Sequence, residues 1–132
     1  MSFITAYIVG LIAFLLIDFI WLKYIALDFY RSNIGHLMSD TPNLKVAGLF
    51  YLFYVVGVVI LAVNPALEKQ SWMIALFYGG LLGLVAYGTY DITNLATLKN
   101  YPAIVAIVDM IWGTVLTASV ATASYFAVTI LR

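Results

Sequence analysis

Of 132 residues, 65% are apolar and 9% charged, with a mean hydropathy of +1.07 and zero net charge. That balance leaves too few polar side chains to coat a water-soluble domain, and the lack of a basic excess removes bulk attraction to nucleic acid. With no cysteine, disulfides, thiolate metal sites and thiol nucleophiles are excluded.

Four apolar runs, 3–22, 44–63, 72–94 and 102–131, each have the length that crosses a hydrocarbon core about 30 Å thick. Their apolar residues are too continuous for the alternation of barrel strands. The expected fold is therefore an all-α integral membrane protein, a four-transmembrane-helix bundle forming one domain over residues 1–132 and embedded in a lipid bilayer. The first run has no Lys or Arg before it, contains Asp18 and leads to no small-residue cleavage site, so it is expected to persist as a helix rather than be removed as a signal.

Residues 23–43 are expected as the longest connection, carrying Lys23, Asp28, Arg31, His36 and Asp40. Asn64-Pro65 is expected to end the second helix and Asn100-Tyr101-Pro102 to separate the third from the fourth, which begins at Pro102, because proline cannot continue a hydrogen-bonded helix. Lys23, Arg31, Lys45 and Lys99 then share one membrane face, against Lys69 and Arg132 on the other. The positive-inside rule places the first and third connections in the cytoplasm.

Counting depth at about 1.5 Å per residue brings polar groups from all four helices into the half of the membrane nearest those two connections. They are Asp18, Tyr51, Tyr54, Tyr87, Tyr90, Asp91, Asn94, Asp109 and Trp112. Positions 87, 90, 91 and 94 follow i, i+3, i+4, i+7 and so form one helical stripe. Ionisable groups inside a membrane are costly enough to mark a functional site by default. The candidate site comprises Asp18, Trp21, Tyr87, Tyr90, Asp91, Thr93, Asn94, Asp109 and Trp112, with Arg31 and His36 as contributors from the first connection.

Two depths fit these residues. In one, the layer is buried. In the other, Trp72 to Tyr90 alone spans, roughly 28 Å, and Asp91 to Asn94 cap backbone at a helix exit. If buried together, Asp18, Asp91 and Asp109 cannot all stay ionised without a cation, a substrate amine or a basic side chain among them. A divalent-cation site is one such arrangement, but no His-x-x-x-His or Glu-x-x-His spacing supports it, and no cofactor signature is present.

Plainer roles stand beside each of these. Single intramembrane acids, Asn94, Thr93 and Thr114 also serve as interhelical hydrogen-bond partners. Trp21, Tyr24, Trp72 and Tyr101 lie near helix ends, where aromatic belts are expected, and His36 suits a solvated loop. Gly79 and Gly83, at GxxxG spacing, allow close helix approach, within the bundle or in a homodimer. Asp18-Phe19-Ile20-Trp21 and Asp109-Met110-Ile111-Trp112 repeat the pattern Asp-x-Ile-Trp.

The run Tyr87-Gly88-Thr89-Tyr90-Asp91-Ile92-Thr93-Asn94-Leu95-Ala96-Thr97-Leu98, with Asp18-Phe19-Ile20-Trp21-Leu22 upstream and Asp109-Met110-Ile111-Trp112-Gly113 downstream, resembles the bacterial membrane-protein family known as domain of unknown function 2177. The resemblance covers nearly the whole chain. It implies a bacterial inner-membrane four-helix protein whose family pattern is matched by Asp18, Trp21, Tyr90, Asp91, Thr93, Asn94, Asp109, Trp112 and Gly113, and it implies no particular reaction.

Three functions follow from the residues. The first is a site for a small molecule, ion or lipid head group, with Asp91 or Asp109 as acid or base if chemistry occurs there. The second is a small proton-coupled carrier, and the third a non-catalytic accessory or interaction protein. No Ser-His-Asp set or nucleotide-binding glycine loop names a reaction.

Overall fold

A computed structural model describes residues 2–132. Four helices long and apolar enough to cross a membrane run Ser2–Leu37 (α1), Leu44–Lys69 (α2), Trp72–Thr97 (α3) and Ala103–Leu131 (α4). The architecture is the all-helical one expected. Large apolar side chains such as Ile12, Leu16, Phe53, Phe77, Leu81 and Ile111 point outward, as they do when lipid is the solvent.

Because lipid tails are as apolar as leucine, packing inside such a bundle comes from close backbone approach rather than from hydrophobic burial. The most extensive contact, between α3 and α4, is made this way. A Cβ added at Gly79 would lie 2.8 Å from the Ala121 Cβ and 2.9 Å from the Thr117 carbonyl oxygen, and one added at Gly83 would strike the Gly113 carbonyl. The GxxxG pair is thus buried within the chain, against a stripe of small residues on α4. On an adjacent face of α4, Ser124 Oγ donates to the Ala6 carbonyl at 3.0 Å, where Gly10 brings α1 close.

Three boundaries differ from the sequence expectation. First, residues 23–43 are not a long loop. α1 passes through a π-helical turn, Trp21–Ala26, into an α-helical segment, Leu27–Ile34, and a 3-10 turn, Gly35–Leu37. Phe29, Tyr30 and Ile34 lie against Tyr101, Val105 and Ala106, while Asp28, Arg31 and Ser32 face outward. This extension is an amphipathic helix stabilised by what it covers. Residues 6 to 18 of α1 track residues 124 to 112 of α4 one for one, but from Asp18 to Tyr30 the contact on α4 moves only from Trp112 to Asp109. The helix therefore turns across the end of α4, and the π turn is where its ladder is interrupted.

Second, Asn64-Pro65 does not stop α2. Immediately before it, Val59–Val63 is π-helical and the Asn64 N–H bonds the Val59 carbonyl. The widened turn relieves the clash and the missing donor that proline imposes on a regular α-helix. The stop falls instead at Gln70, left-handed at φ 52°, with the Ser71 N–H reaching back to the Ala66 carbonyl at 3.0 Å. Third, α3 runs on past residue 94 to Thr97, and Asn100 at φ 59° turns the chain so that Pro102 precedes α4 rather than opening it.

One asymmetry positions the site. α2 packs on α3 through its π turn and its last turns, near Gln70, whereas Leu44–Val58 packs on α1 and diverges from α3. The two helices splay apart toward the end that carries the α1 extension.

Candidate functional site

At that end the four helices enclose a cavity of about 260 Å³, lined by Asp18, Trp21 and Tyr30 of α1, Tyr51 of α2, Tyr87 and Tyr90 of α3, Tyr101 before α4, and Asp109 and Trp112 of α4, among others. Each acid is held from one side. Trp112 Nε1 donates to Asp18 Oδ1 at 3.1 Å, and the Tyr30 hydroxyl donates to Asp109 Oδ1 at 2.9 Å. The Trp21 and Trp112 rings stack, with centroids 4.3 Å apart. The two Asp-x-Ile-Trp segments meet here, one from each helix.

Gly113 completes this wall, because a Cβ there would collide with the Tyr87 ring. The Tyr87 side chain crosses α4 where it has no side chain of its own, and so reaches the cavity. Below it, Tyr54 shares a hydrogen bond with Thr117 at 2.8 Å, and Phe14 packs against Tyr51 and Tyr54 with ring centroids 5.0 and 5.7 Å away. These contacts form the floor.

A second chamber of about 520 Å³ adjoins the first and shares Tyr51, Tyr87, Tyr90 and Asp109 with it. Its other walls are Phe14, Phe50, Tyr54 and Ala86, so it is largely apolar. It lies in the gap between the diverging half of α2 and α3. Among the described residues no lysine, arginine or histidine lines either space.

Asp91 is fully buried among protein side chains, and because α3 runs on to Thr97 it does not cap a helix exit. It sits behind the cavity wall beside Asp109, accepts a long hydrogen bond from the Tyr101 hydroxyl at 3.5 Å, and keeps Oδ2 without a protein partner. Tyr101 is 8% exposed, and burial is the main reason its phenol is pushed up to about 12, so it stays a donor across the physiological range. Asn94 is half-buried near Tyr101.

The other candidates are placed differently. Thr93 is exposed on the outer face of α3, and Tyr90 is largely exposed at the rim of both chambers. Arg31 and His36 lie on the α1 extension and line neither chamber. Among the described residues no three His, Asp or Glu side chains converge as metal ligands would, so the divalent-cation arrangement lacks a ligand set.

Two residues that sequence reasoning assigned elsewhere belong to the site. Tyr30 fell in an expected loop, and Tyr101 looked like a belt aromatic. The signal for Tyr30 was the apolar spacing of Phe29, Tyr30 and Ile34 between charged neighbours, which reads as an amphipathic turn.

The lining offers carboxylate acceptors, aromatic faces and tyrosine hydroxyls that donate or accept, and no basic side chain. Such a surface suits a ligand group that donates hydrogen bonds or carries positive charge. Neither a curated protein nor a solved structure matches the chain. The predicted membrane protein family DUF2177 matches residues 3–126, nearly the whole length, and the chain belongs to that family.

Proposed function

We propose that the aspartate- and tyrosine-lined cavity is a membrane-embedded binding site for a small molecule or lipid head group. One observation carries the reading: Asp18 and Asp109, from two different helices, border the same cavity while held in place by Trp112 and Tyr30. A pair of acids serving only to lock helices would be expected to bond a neighbouring helix with no space beside them. Here the space exists, and the aromatic residues around it give it a fixed shape.

The carrier reading has less support. Toward Gln70, α3 and α4 pack closely through the Gly79–Ala121 and Gly83–Gly113 contacts, and alternating exposure between them would require that packing to open. Acid–base chemistry at Asp109, next to Asp91, remains compatible with the geometry and is the natural extension if the ligand proves to be a substrate.

The resemblance to the family is what implies a bacterial inner membrane, and the charge distribution supports an orientation with the Lys23, Arg31, Lys45 and Lys99 end in the cytoplasm. Because the chain has no cysteine, single cysteines introduced at Ser39 and Gln70 give a clean accessibility readout of that orientation.

The deciding experiment is native mass spectrometry of the protein released from membranes, with Asp109→Asn alongside. The expected result is a bound species on the wild type that is depleted in the variant while thermal unfolding stays cooperative. A protein that emerges free of ligand from every lipid extract, and whose cavity is filled by side chains in a structure in lipid, would leave only the packing role.

A further inference from the structure

We infer that the ligand is an amphipathic organic cation, an amine or quaternary ammonium head on a hydrocarbon chain, admitted from the bilayer between α2 and α3. The inference rests on the binding-site reading above and adds the class of ligand.

The sign of the head group follows from what lines the cavity and what does not. Asp18 and Asp109 border it and the buried carboxylate of Asp91 stands behind Asp109, yet none of the six lysines and arginines and not the single histidine faces it. Lys23, the nearest base along α1, places its ammonium over the Phe19 and Tyr24 rings at 5.5 and 5.3 Å, on the outer face of the helix. A phosphate or carboxylate head would meet like charge with only tyrosine hydroxyls, and no basic side chain, to offset it, which costs more as water is excluded.

The aromatic rings add the second recognition element. The stacked Trp21–Trp112 pair and five tyrosines line the cavity that Asp18 and Asp109 border, an aromatic box in composition. Ring faces attract ammonium groups, the more so where water is excluded. A box of this kind beside carboxylates selects an organic ammonium over a metal ion, which would need several converging oxygens.

The tail follows from the second chamber. It opens off the first past Tyr51 and Tyr87, is walled by Phe14, Phe50 and Ala86, and has at its mouth Phe50 and Tyr90, 57% and 60% exposed on the lipid-facing side. A chain already dissolved in lipid gains little by moving into an apolar chamber. The tail therefore aligns and concentrates the ligand, and the head decides which ligand stays.

The test uses the full chain in dodecyl maltoside micelles, whose head is neutral, with Trp72→Phe so that fluorescence reports Trp21 and Trp112 alone. Decyltrimethylammonium, decanol and decyl sulfate are titrated and compared by mole fraction in the micelle. The expected result is a saturable change with decyltrimethylammonium at a tenfold or lower half-saturating mole fraction than the other two. That binding should weaken at least tenfold in Asp109→Asn and in Asp18→Asn. Ala86→Leu, which narrows the second chamber, should weaken decyltrimethylammonium while leaving tailless tetramethylammonium unchanged.

Saturation by decanol or decyl sulfate at equal mole fraction would overturn the cation assignment and leave the binding-site reading standing. No saturable response to any probe would overturn both. Undiminished decyltrimethylammonium binding in both Asp→Asn variants, each melting like the parent, would also overturn the inference.

Discussion

Trp21 and Trp112 stack with centroids 4.3 Å apart and planes 7° apart, and Trp112 also donates to Asp18 from the facing motif. If the two Asp-x-Ile-Trp segments were fully reciprocal, Trp21 would donate to Asp109. It does not: Tyr30 occupies that role, and the Trp21 indole N–H lies near the Tyr30 hydroxyl without a well-formed hydrogen bond. The α1 extension has thus inserted itself into one arm of an otherwise two-fold arrangement, which is how a segment outside the span comes to hold an acid inside it.

This asymmetry predicts unequal costs for two similar substitutions. Trp112→Phe keeps much of the stack but strips Asp18 of its donor, an expected loss of about 1–3 kcal/mol. Trp21→Phe removes an indole N–H that bonds no acid, so its cost should lie mainly in the smaller ring contact, about 0.5–1.5 kcal/mol. Unfolding of both variants in mixed micelles measures the difference. Equal losses would mean that the Trp112 to Asp18 bond contributes nothing net.

Tyr30→Phe tests whether the extension is held by the site. The substitution removes the 2.9 Å bond to Asp109 while keeping the ring against Tyr101 and Val105. Loss of a hydrogen bond to a carboxyl group should cost about 1–2 kcal/mol. It should appear locally, as faster amide exchange over residues 27–37 with the cores of α3 and α4 unchanged. Exchange that rises uniformly along the chain would argue that Tyr30 supports the whole bundle instead.

The four spans were legible because an uninterrupted run of about twenty apolar residues fits a membrane-crossing helix and little else. Depth counting and the 87, 90, 91, 94 stripe also brought Tyr87 and Asp91 to the correct face of α3, and most of the motif acids and tryptophans to one cavity. What stayed hidden was set by tertiary contacts. Residues 27–37 hold Asp28, Arg31, Ser32 and Gly35, and although Phe29, Tyr30 and Ile34 carry an amphipathic spacing, the partners that support this helix, Tyr101, Val105 and Ala106, lie far along the chain. Pro65 was misleading for a related reason, since a π turn ahead of it cannot be recognised from Val59-Ile60-Leu61-Ala62-Val63. Tyr101 was hidden by its position, because a tyrosine beside a helix end has the same sequence context whether it faces lipid head groups or a buried acid.

Glycine positions on α3 separate packing from propensity. At Gly83 a methyl would run into the Gly113 carbonyl, a backbone atom that can move only if α3 and α4 part, whereas at Gly80 its nearest neighbours are side-chain carbons at 3.7 and 3.8 Å. Gly83→Ala should therefore destabilise by about 1–3 kcal/mol through overpacking. Gly80→Ala should be neutral or stabilising by a fraction of that, as alanine is the better helix former. Thermal melts of the two variants, run side by side, check the sign of each.

Tyr101 offers a test by pH. The fold retains the proton of a phenol buried beside Asp91, with ionisation pushed up to about 12, against about 10 for an exposed tyrosine. Because the folded chain holds this proton more tightly than the unfolded one, its contribution to stability is intact below pH of about 10 and is lost as pH rises from there through about 12. Tyr101→Phe has no proton to lose. The stability gap between wild type and variant should therefore be constant at neutral and mildly basic pH and shrink across that window, as followed by unfolding in a denaturant series at each pH. A gap that stays flat through the window would mean that Tyr101 ionises as it does in water, and that the contact with Asp91 opens to solvent in the membrane-free protein.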